Sequence, residues 1–237
     1  GRTNRYDVEA GNNTYDNAVI ENSKISEKNK IQNNQSMLDD IMNSTQYPKQ
    51  LKDLALKNEE ALEFVYDYPA EHVKEHTIDL TEEASMDSVP LFVQWDKRWG
   101  YEKYSGNFFA ASGCGTTTLS MVVVYLTHNR EASPIAVAKY SKEAGYSVDG
   151  SGSSWTLISE GCMHYGVKAK SVALDESRMK AELDEGHPIV VNVGPGDFTD
   201  TGHFMVITGY DDEGFSINDP NSIEKSGKRW LFKNISS

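Results

Sequence analysis

The sequence predicts an α+β fold, because helical patterns occupy the middle of the chain and strand patterns dominate its last third. Apolar residues recur at three- and four-residue spacing after residue 115, and prolines and glycines mark the helix ends. Short β-branched runs after residue 187 are separated by glycine-containing turns. No internal repeat is visible, and two cysteines cannot form a disulfide framework.

The composition is that of an acidic globular protein with one domain, or with one domain and an appendage. The 237 residues include 23 Lys+Arg and 36 Asp+Glu, which gives a net charge of −13, and 10% are aromatic. Phosphate binding needs clustered basic residues that no stretch supplies, so nucleic acid is not an expected partner. No apolar run approaches the roughly 18 residues of a membrane span, and none is expected.

The N-terminal third divides into two segments by composition. Residues 1–47 contain nine Asn and little apolar periodicity, which predicts a polar tether, with a loosely packed helix as the alternative. Residues 48–86 are predicted to form a helical appendage of two short helices, with Pro69 stopping the second after Tyr68. The apolar positions of these helices are Leu51, Leu54, Leu62, Phe64 and Val65.

Residues 87–237 are predicted to form the main domain. Leu91–Trp95 has the pattern of a short strand. The β-branched run from Thr116 to Leu126 fits a helix or a strand; a buried central helix is favoured because its apolar residues keep helical spacing and threonines can cap its start. Further helices are predicted over residues 134–144, 155–166 and 176–185, and strands over residues 188–193, 203–210, 215–218 and 229–232.

Cys114 is a candidate nucleophile. It lies between Gly113 and Gly115 at the predicted start of the buried helix, where unpaired N–H groups and partial positive charge stabilise a thiolate. The flanking glycines allow a sharp turn and close approach of a substrate, and the N–H of Cys114 could stabilise an oxyanion. A small buried hydrophobe is the alternative interpretation of this cysteine.

His203 and Asp219 complete a candidate triad. His203 begins an otherwise apolar strand, and Asp219 follows the next strand sixteen positions later. A turn centred near Asp211 would place the two residues directly opposite each other, so that the carboxylate orients the imidazole. A turn centred on Glu213 would instead place Asp219 opposite Ile207 and separate the pair.

Two further sets of residues could contribute to the site. Gln94, upstream of the nucleophile, could donate a second hydrogen bond to an oxyanion. Cys162 and His164 could suggest a metal site with His128 or His187, but their spacing matches no known metal motif, so no metal and no cofactor are expected.

Four blocks in order carry a family resemblance: Val89–Gly100, Ala111–Gly115, Thr199–Phe204 and Asn218–Ser222. They resemble the C39-like peptidases, a branch of the papain-like cysteine hydrolases. The resemblance implies a papain-like fold, in which a helix that begins with the nucleophile packs on an antiparallel sheet. The family usually has proline after Cys-Gly, where this chain has Thr116.

The resemblance implies a cysteine peptidase that hydrolyses peptide bonds through a thioester. Cys114 would be the nucleophile, His203 the general base and acid, Asp219 the orienting acid, and Gln94 the oxyanion donor. Gly113, Gly202 and Trp155 are expected to contact the substrate. The expected partner is a peptide or protein, with a cell-wall peptide as one candidate, and the expected state is a monomer. An extracellular or cell-surface location in a bacterium is expected, with a signal peptide or anchor removed.

Other functions fit the same residues. A transglutaminase or a peptidoglycan amidase also uses Cys, His and Asp in this chain order. A module that binds peptides without cleaving them, through the aromatic segment near Trp95 and Trp99, is the alternative from another class.

Overall fold

The computed structural model describes residues 6–199 and 202–236, with side chains from Val19 onward. The first five residues of the predicted tether lie outside the described part. The chain divides into two compact units, the first ending at Tyr66 and the second beginning at Asp67. In the described residues, no helix has both the length and the apolar character needed to cross a bilayer.

The first unit is helical. From Tyr6 to Asn43 the chain forms one helix, α1, whose Ile20, Ile25 and Ile31 are exposed while Ile41 is fully buried. The remaining elements are α2 (Lys49–Lys57), a 3₁₀ turn (Glu59–Ala61) and α3 (Leu62–Tyr66). The apolar residues predicted to line the short helices are buried here: Leu51, Leu54, Leu62, Phe64 and Val65.

The second unit contains helices, two small hairpins and one larger sheet, so its class is α+β as predicted. Its helices are α4 (Tyr68–Glu71), α5 (Thr81–Ala84), α6 (Phe109–Ser112), α7 (Cys114–Thr127), α8 (Pro134–Glu143), α9 (Thr156–Ser159), α10 (Glu176–Asp184), α11 (Ile223–Ser226) and α12 (Phe232–Ser236). Its strands are β1 (Lys103–Tyr104), β2 (Asn107–Phe108), β3 (Ser147–Val148), β4 (Gly152–Ser153), β5 (Ile189–Val193), β6 (His203–Asp211), β7 (Gly214–Asn218) and β8 (Arg229–Trp230).

The larger sheet is an antiparallel meander in the order β5-β6-β7-β8. Side chains of α7 pack with Phe204 and Val206 of β6 in one hydrophobic cluster. Met205 and Ile207 belong to a second cluster, with Met179 of α10 and Ile235 of α12. Successive residues of β6 therefore face two different cores, as the period of a strand requires.

The β-branched run is a helix, as predicted. All ten residues from Gly115 to Val124 are buried, so α7 has no solvent-facing side along this stretch. A helix that is apolar around its whole circumference is stabilised by its surroundings more than by its own propensity. Tertiary burial thus overrides the β-branched preference for a strand.

The predicted strand at Leu91–Trp95 is wrong. This segment has no ladder partner: the N–H of Phe92 meets the sulfur of Met121, and the N–H of Gln94 donates to the carbonyl of Pro220 at 2.7 Å. Phe92 is buried against the core, which explains the apolar pattern without a sheet.

Three predicted boundaries also need correction. Pro69 does not stop a helix; it lies in the first turn of α4, where its missing N–H costs nothing. The helix predicted over residues 155–166 is broken into α9 and a 3₁₀ turn (Gly161–Tyr165), which ends at Gly166 in the left-handed conformation. The final strand stops at Trp230, because Phe232 begins α12.

We predict that Gly214→Ala destabilises the second unit. Gly214 ends the β6–β7 turn at φ +136°, and a Cβ there would lie 2.6 Å from the carbonyl oxygen of Trp230. Backbone strain and the clash should lower the free energy of unfolding by about 2–4 kcal/mol. Urea denaturation followed by tryptophan fluorescence measures this, since all four tryptophans belong to the second unit.

Gly194→Ala is the matched control, because nothing lies within 4 Å of its added Cβ and its φ is not positive. Equal urea midpoints of unfolding for the two variants would contradict the proposed strain at Gly214.

Candidate active site

Cys114 is the first residue of α7, and Gly113 caps the helix. The thiol therefore lies at the positive end of a fourteen-residue helix, where N–H groups lack intrahelical partners. The residue is partly exposed, unlike Cys162, which is buried. This is the placement that the Gly-Cys-Gly pattern predicts for a reactive cysteine.

The side chains of Cys114 and His203 share a hydrogen bond. Burial of the thiol disfavours its ionisation, but the bond to His203, the imidazolium charge and the N–H groups of Phe204 and Gly115 together lower the pKa of Cys114. The geometry thus favours a thiolate over a thiol.

His203 is held by Asp219. Its Nε2 donates to Oδ1 of Asp219 at 2.5 Å, and both side chains are buried. Burial alone would lower the pKa of His203, but the bonds to Asp219 and Cys114 raise it to about 10. With Nε2 committed to the carboxylate, Nδ1 is the ring nitrogen that remains for the thiol.

Neither register considered for the β6–β7 hairpin is the one observed. Val206 pairs with Asn218 and Ile207 with Ile217, and the register shifts by one residue before Gly209 pairs with Ser216. Extending the first register by one residue places Asp219 across from Met205, so it reaches His203 diagonally. The predicted centre near Asp211 is wrong because Asp212 and Glu213 form the turn, between the paired residues Asp211 and Gly214, yet His203 and Asp219 still meet.

The loop after β7 fixes Asp219. Its Oδ1 also accepts the N–H of Asn221 at 2.8 Å, and its own N–H donates to the hydroxyl of Ser226 at 2.8 Å. Ser226 in turn donates to the carbonyl of Ser222 at 2.6 Å. Neither serine was assigned a role from the sequence. A serine at the start of a helical turn is a common N-cap, and Ser222 does accept the N–H of Lys225 there.

Gln94 is buried beside this loop. Its side-chain Nε2 donates to the carbonyl of Ala110 in α6 at 2.8 Å, and its backbone N–H bonds Pro220. One N–H of the amide is therefore committed to the turn that precedes Cys114. Trp95 donates from its indole to the carbonyl of Asn221 at 3.1 Å, so this segment contacts both the turn before Cys114 and the loop that carries Asp219.

The three residues expected to contact substrate have different surroundings. Gly113 is required for packing, because an added Cβ would lie 2.5 Å from the buried ring of Phe109. Gly202 is exposed beside His203, and an added Cβ would lie 3.9 Å from the carbonyl oxygen of Val193. Trp155 is 47% exposed and stacks on Phe204, with ring centroids 5.8 Å apart.

One group in the described residues has the composition of a metal site: Glu182, Glu185 and His187. Lys170 already binds Glu182 at 2.7 Å, and His187 binds the other oxygen of that carboxylate at 2.7 Å. These residues form an ion-pair cluster at the surface. Cys162 and His164, weighed earlier, do not belong to it.

The pKa shifts predict that Cys114 reacts with iodoacetamide well below the ~8.5 pKa of a free thiol. The imidazolium of His203 persists up to about pH 10, so the thiolate keeps its positive partner throughout the neutral range. Removing that charge in His203→Ala should slow alkylation at pH 6 by roughly tenfold or more. Peptide mass analysis measures the rate at each cysteine.

Cys162 is the internal control, because burial raises its pKa. His187→Ala is the control variant, since this histidine is half-exposed and pairs with Glu182. If the alkylation rate of Cys114 equals that of Cys162 at every pH, the thiol of Cys114 is not activated.

Comparison with known proteins gives one match. A family model described as the Peptidase_C39 like family matches residues 86–236. Neither a curated protein nor a solved structure matches the chain. The matched range contains each of the four residues of the candidate catalytic group.

Proposed function

The chain belongs to the Peptidase_C39 like family, and we propose that it is a cysteine peptidase with a Cys114–His203–Asp219 triad. The observation that carries this proposal is the buried chain of hydrogen bonds from Cys114 through His203 to Asp219. Family membership supports a peptidase in general, and this geometry favours the cysteine as its nucleophile.

We infer a papain-like arrangement within the second unit. The nucleophile begins a buried helix, the base begins a strand of the antiparallel sheet on which that helix packs, and the carboxylate follows the next strand. The helices before Asp67 would then be an appendage to the catalytic unit. The family match starts at residue 86, close to the predicted start of the catalytic domain at residue 87, whereas the second compact unit already begins at Asp67.

The reaction begins with the ion pair. The Cys114 thiolate attacks the carbonyl carbon of the scissile peptide bond, and the carbonyl oxygen takes the negative charge. The N–H of Cys114 and the second N–H of the Gln94 amide are the donors we assign to this oxyanion. Ala110 occupies only one of the two hydrogens of that amide, which leaves the other for catalysis.

The imidazolium of His203 then protonates the leaving amine as the carbon–nitrogen bond breaks, which leaves a thioester on Cys114. The neutral imidazole accepts a proton from water, the hydroxide attacks the thioester, and the acyl group leaves as a carboxylic acid while the thiolate returns. Asp219 keeps Nε2 protonated, so that Nδ1 faces the sulfur throughout.

We expect Cys114→Ala to abolish hydrolysis of peptides identified by library screening, while the variant folds normally. With Cys114 intact, mass spectrometry of a rapidly quenched reaction should find the acyl group on this residue and not on Cys162. Circular dichroism controls for the fold. Hydrolysis that persists in Cys114→Ala would overturn the assignment of the nucleophile.

We expect Asp219→Asn to lower kcat/KM by roughly 10²-fold and to change its pH dependence. The amide oxygen can still accept from Nε2, but the carboxylate charge that raises the pKa of His203 is lost. The alkaline limb of the pH profile, expected near pH 10, should therefore move to lower pH. Asp212→Asn in the exposed hairpin turn is the matched control, and an unmoved limb in Asp219→Asn would argue against this role of the carboxylate.

A further inference from the structure

A cavity of about 720 Å³ lies within the second unit beside β5. This volume falls within the range of roughly 300–1,000 Å³ that is typical of ligand sites. Its apolar wall includes Leu119, Val122, Ile158 and Met179. Its other walls include Pro188–Val191 and residues 167–174, a segment outside the helices and strands that we call the strap.

The cavity follows the backbone of both walls. Successive side chains of a strand point to opposite faces, so a cavity bordered by consecutive residues lies along the strand edge and not over one face. Every residue from Pro188 to Val191 lines it, and so does every residue of the strap. The cavity is therefore bordered by the backbones of both segments.

Both backbones have hydrogen-bonding capacity left. Within the described residues, β5 is an edge strand that pairs only with β6. In the same part of the chain, Lys168 to Val172 make no backbone–backbone hydrogen bond, although the backbone of Ala169 bonds the Cys162 thiol. Backbone groups beside an apolar cavity need partners, and an edge strand is a template for another extended chain.

The cavity shares strand β5 and Trp155 with the surroundings of the candidate active site. Val193 pairs with His203, so the cavity-lining Val191 lies only two residues, about 7 Å, along the strand from the position beside the base. Trp155 lines the cavity and stacks on Phe204, whose N–H donates to Cys114. A peptide bound across Cys114 can therefore reach the cavity without leaving the protein surface.

We propose that the cavity binds an extended, apolar segment of the substrate as an added strand between β5 and the strap. This inference rests on the proposed peptidase function, because the occupant is the peptide whose scissile bond lies at Cys114. The four residues Pro188–Val191 span about 13 Å, which matches a segment of about four residues. A hydrocarbon chain would fill the same apolar space but leave the backbone groups of β5 unpaired, so a peptide is the better fit.

Calorimetry with the full-length Cys114→Ala variant tests this inference without turnover. The probe is an acetylated tetrapeptide amide of alternating valine and threonine, beside the same peptide with its alternate backbone nitrogens methylated. We expect saturable binding of the first and binding weaker by about tenfold or more for the second, because methylation removes the donors of a β-ladder. Equal binding of both peptides, no binding, or binding of laurate in their place would overturn the proposal.

A substitution in the strap gives a second test. Ala173 is exposed and lines the cavity, so Ala173→Trp should obstruct it and weaken peptide binding by about tenfold or more without unfolding the protein. Ala144→Trp, at an exposed helix end outside the cavity lining, should bind like the parent. Undiminished binding by Ala173→Trp would place the peptide elsewhere.

Hydrogen exchange distinguishes the peptide from the strap itself as the partner of β5. Amides of residues 168–172 should exchange fast in the free protein and slow down when the peptide binds. Slow exchange before peptide addition would mean that the strap already pairs with this edge, which overturns the proposal. If Cys114→Ala binds the peptide but the unsubstituted protein hydrolyses no peptide, the binding site is supported and only the proposed peptidase function fails.

Discussion

The packing of α7 against β6 is the constraint on which the rest of the second unit depends. Because this helix is buried along ten consecutive residues, its position is determined by contacts around its whole circumference. Its first residue is Cys114, and the strand beneath it begins with His203. The same packing that buries the helix therefore brings a thiol and an imidazole together, and no flexible loop intervenes between either residue and its element.

The electrostatics of the site follow from this burial. A lone imidazolium with six per cent of its side chain exposed would be costly, and burial does act to lower its pKa. Two partners, the Asp219 carboxylate and the Cys114 sulfur, reverse that effect. The ionisation of Cys114 and that of His203 are therefore coupled, because each group stabilises the charged form of the other.

Local sequence patterns predicted the helices and strands of the second unit well where a single physical effect, such as periodic burial, determined the local structure. Buried helix α7 and the meander strands followed from periodicity and turn residues, and the proximity of Cys114, His203 and Asp219 followed from the position of each residue at the end of an element. Leu91–Trp95 failed because burial by itself produces an apolar run, whether or not a ladder forms. The β6–β7 register failed because several acidic residues precede Gly214, and the sequence alone does not indicate which two of them form the turn.

The remaining features depend on distant parts of the chain. No local pattern indicates that Gln94 bonds a loop 126 residues later, or that Ser226 supports Asp219. The cavity beside β5 is likewise formed by helix, strap and strand together, so no local sequence pattern predicts it.

The contacts of Gln94 and Trp95 with the loop after β7 have one more consequence. Gln94 bonds Pro220 and Trp95 bonds Asn221, so the segment that carries Gln94 and the loop that carries Asp219 stabilise each other. Displacement of either segment removes hydrogen-bond partners from the other, so we expect their backbone amides to become exposed to solvent exchange together.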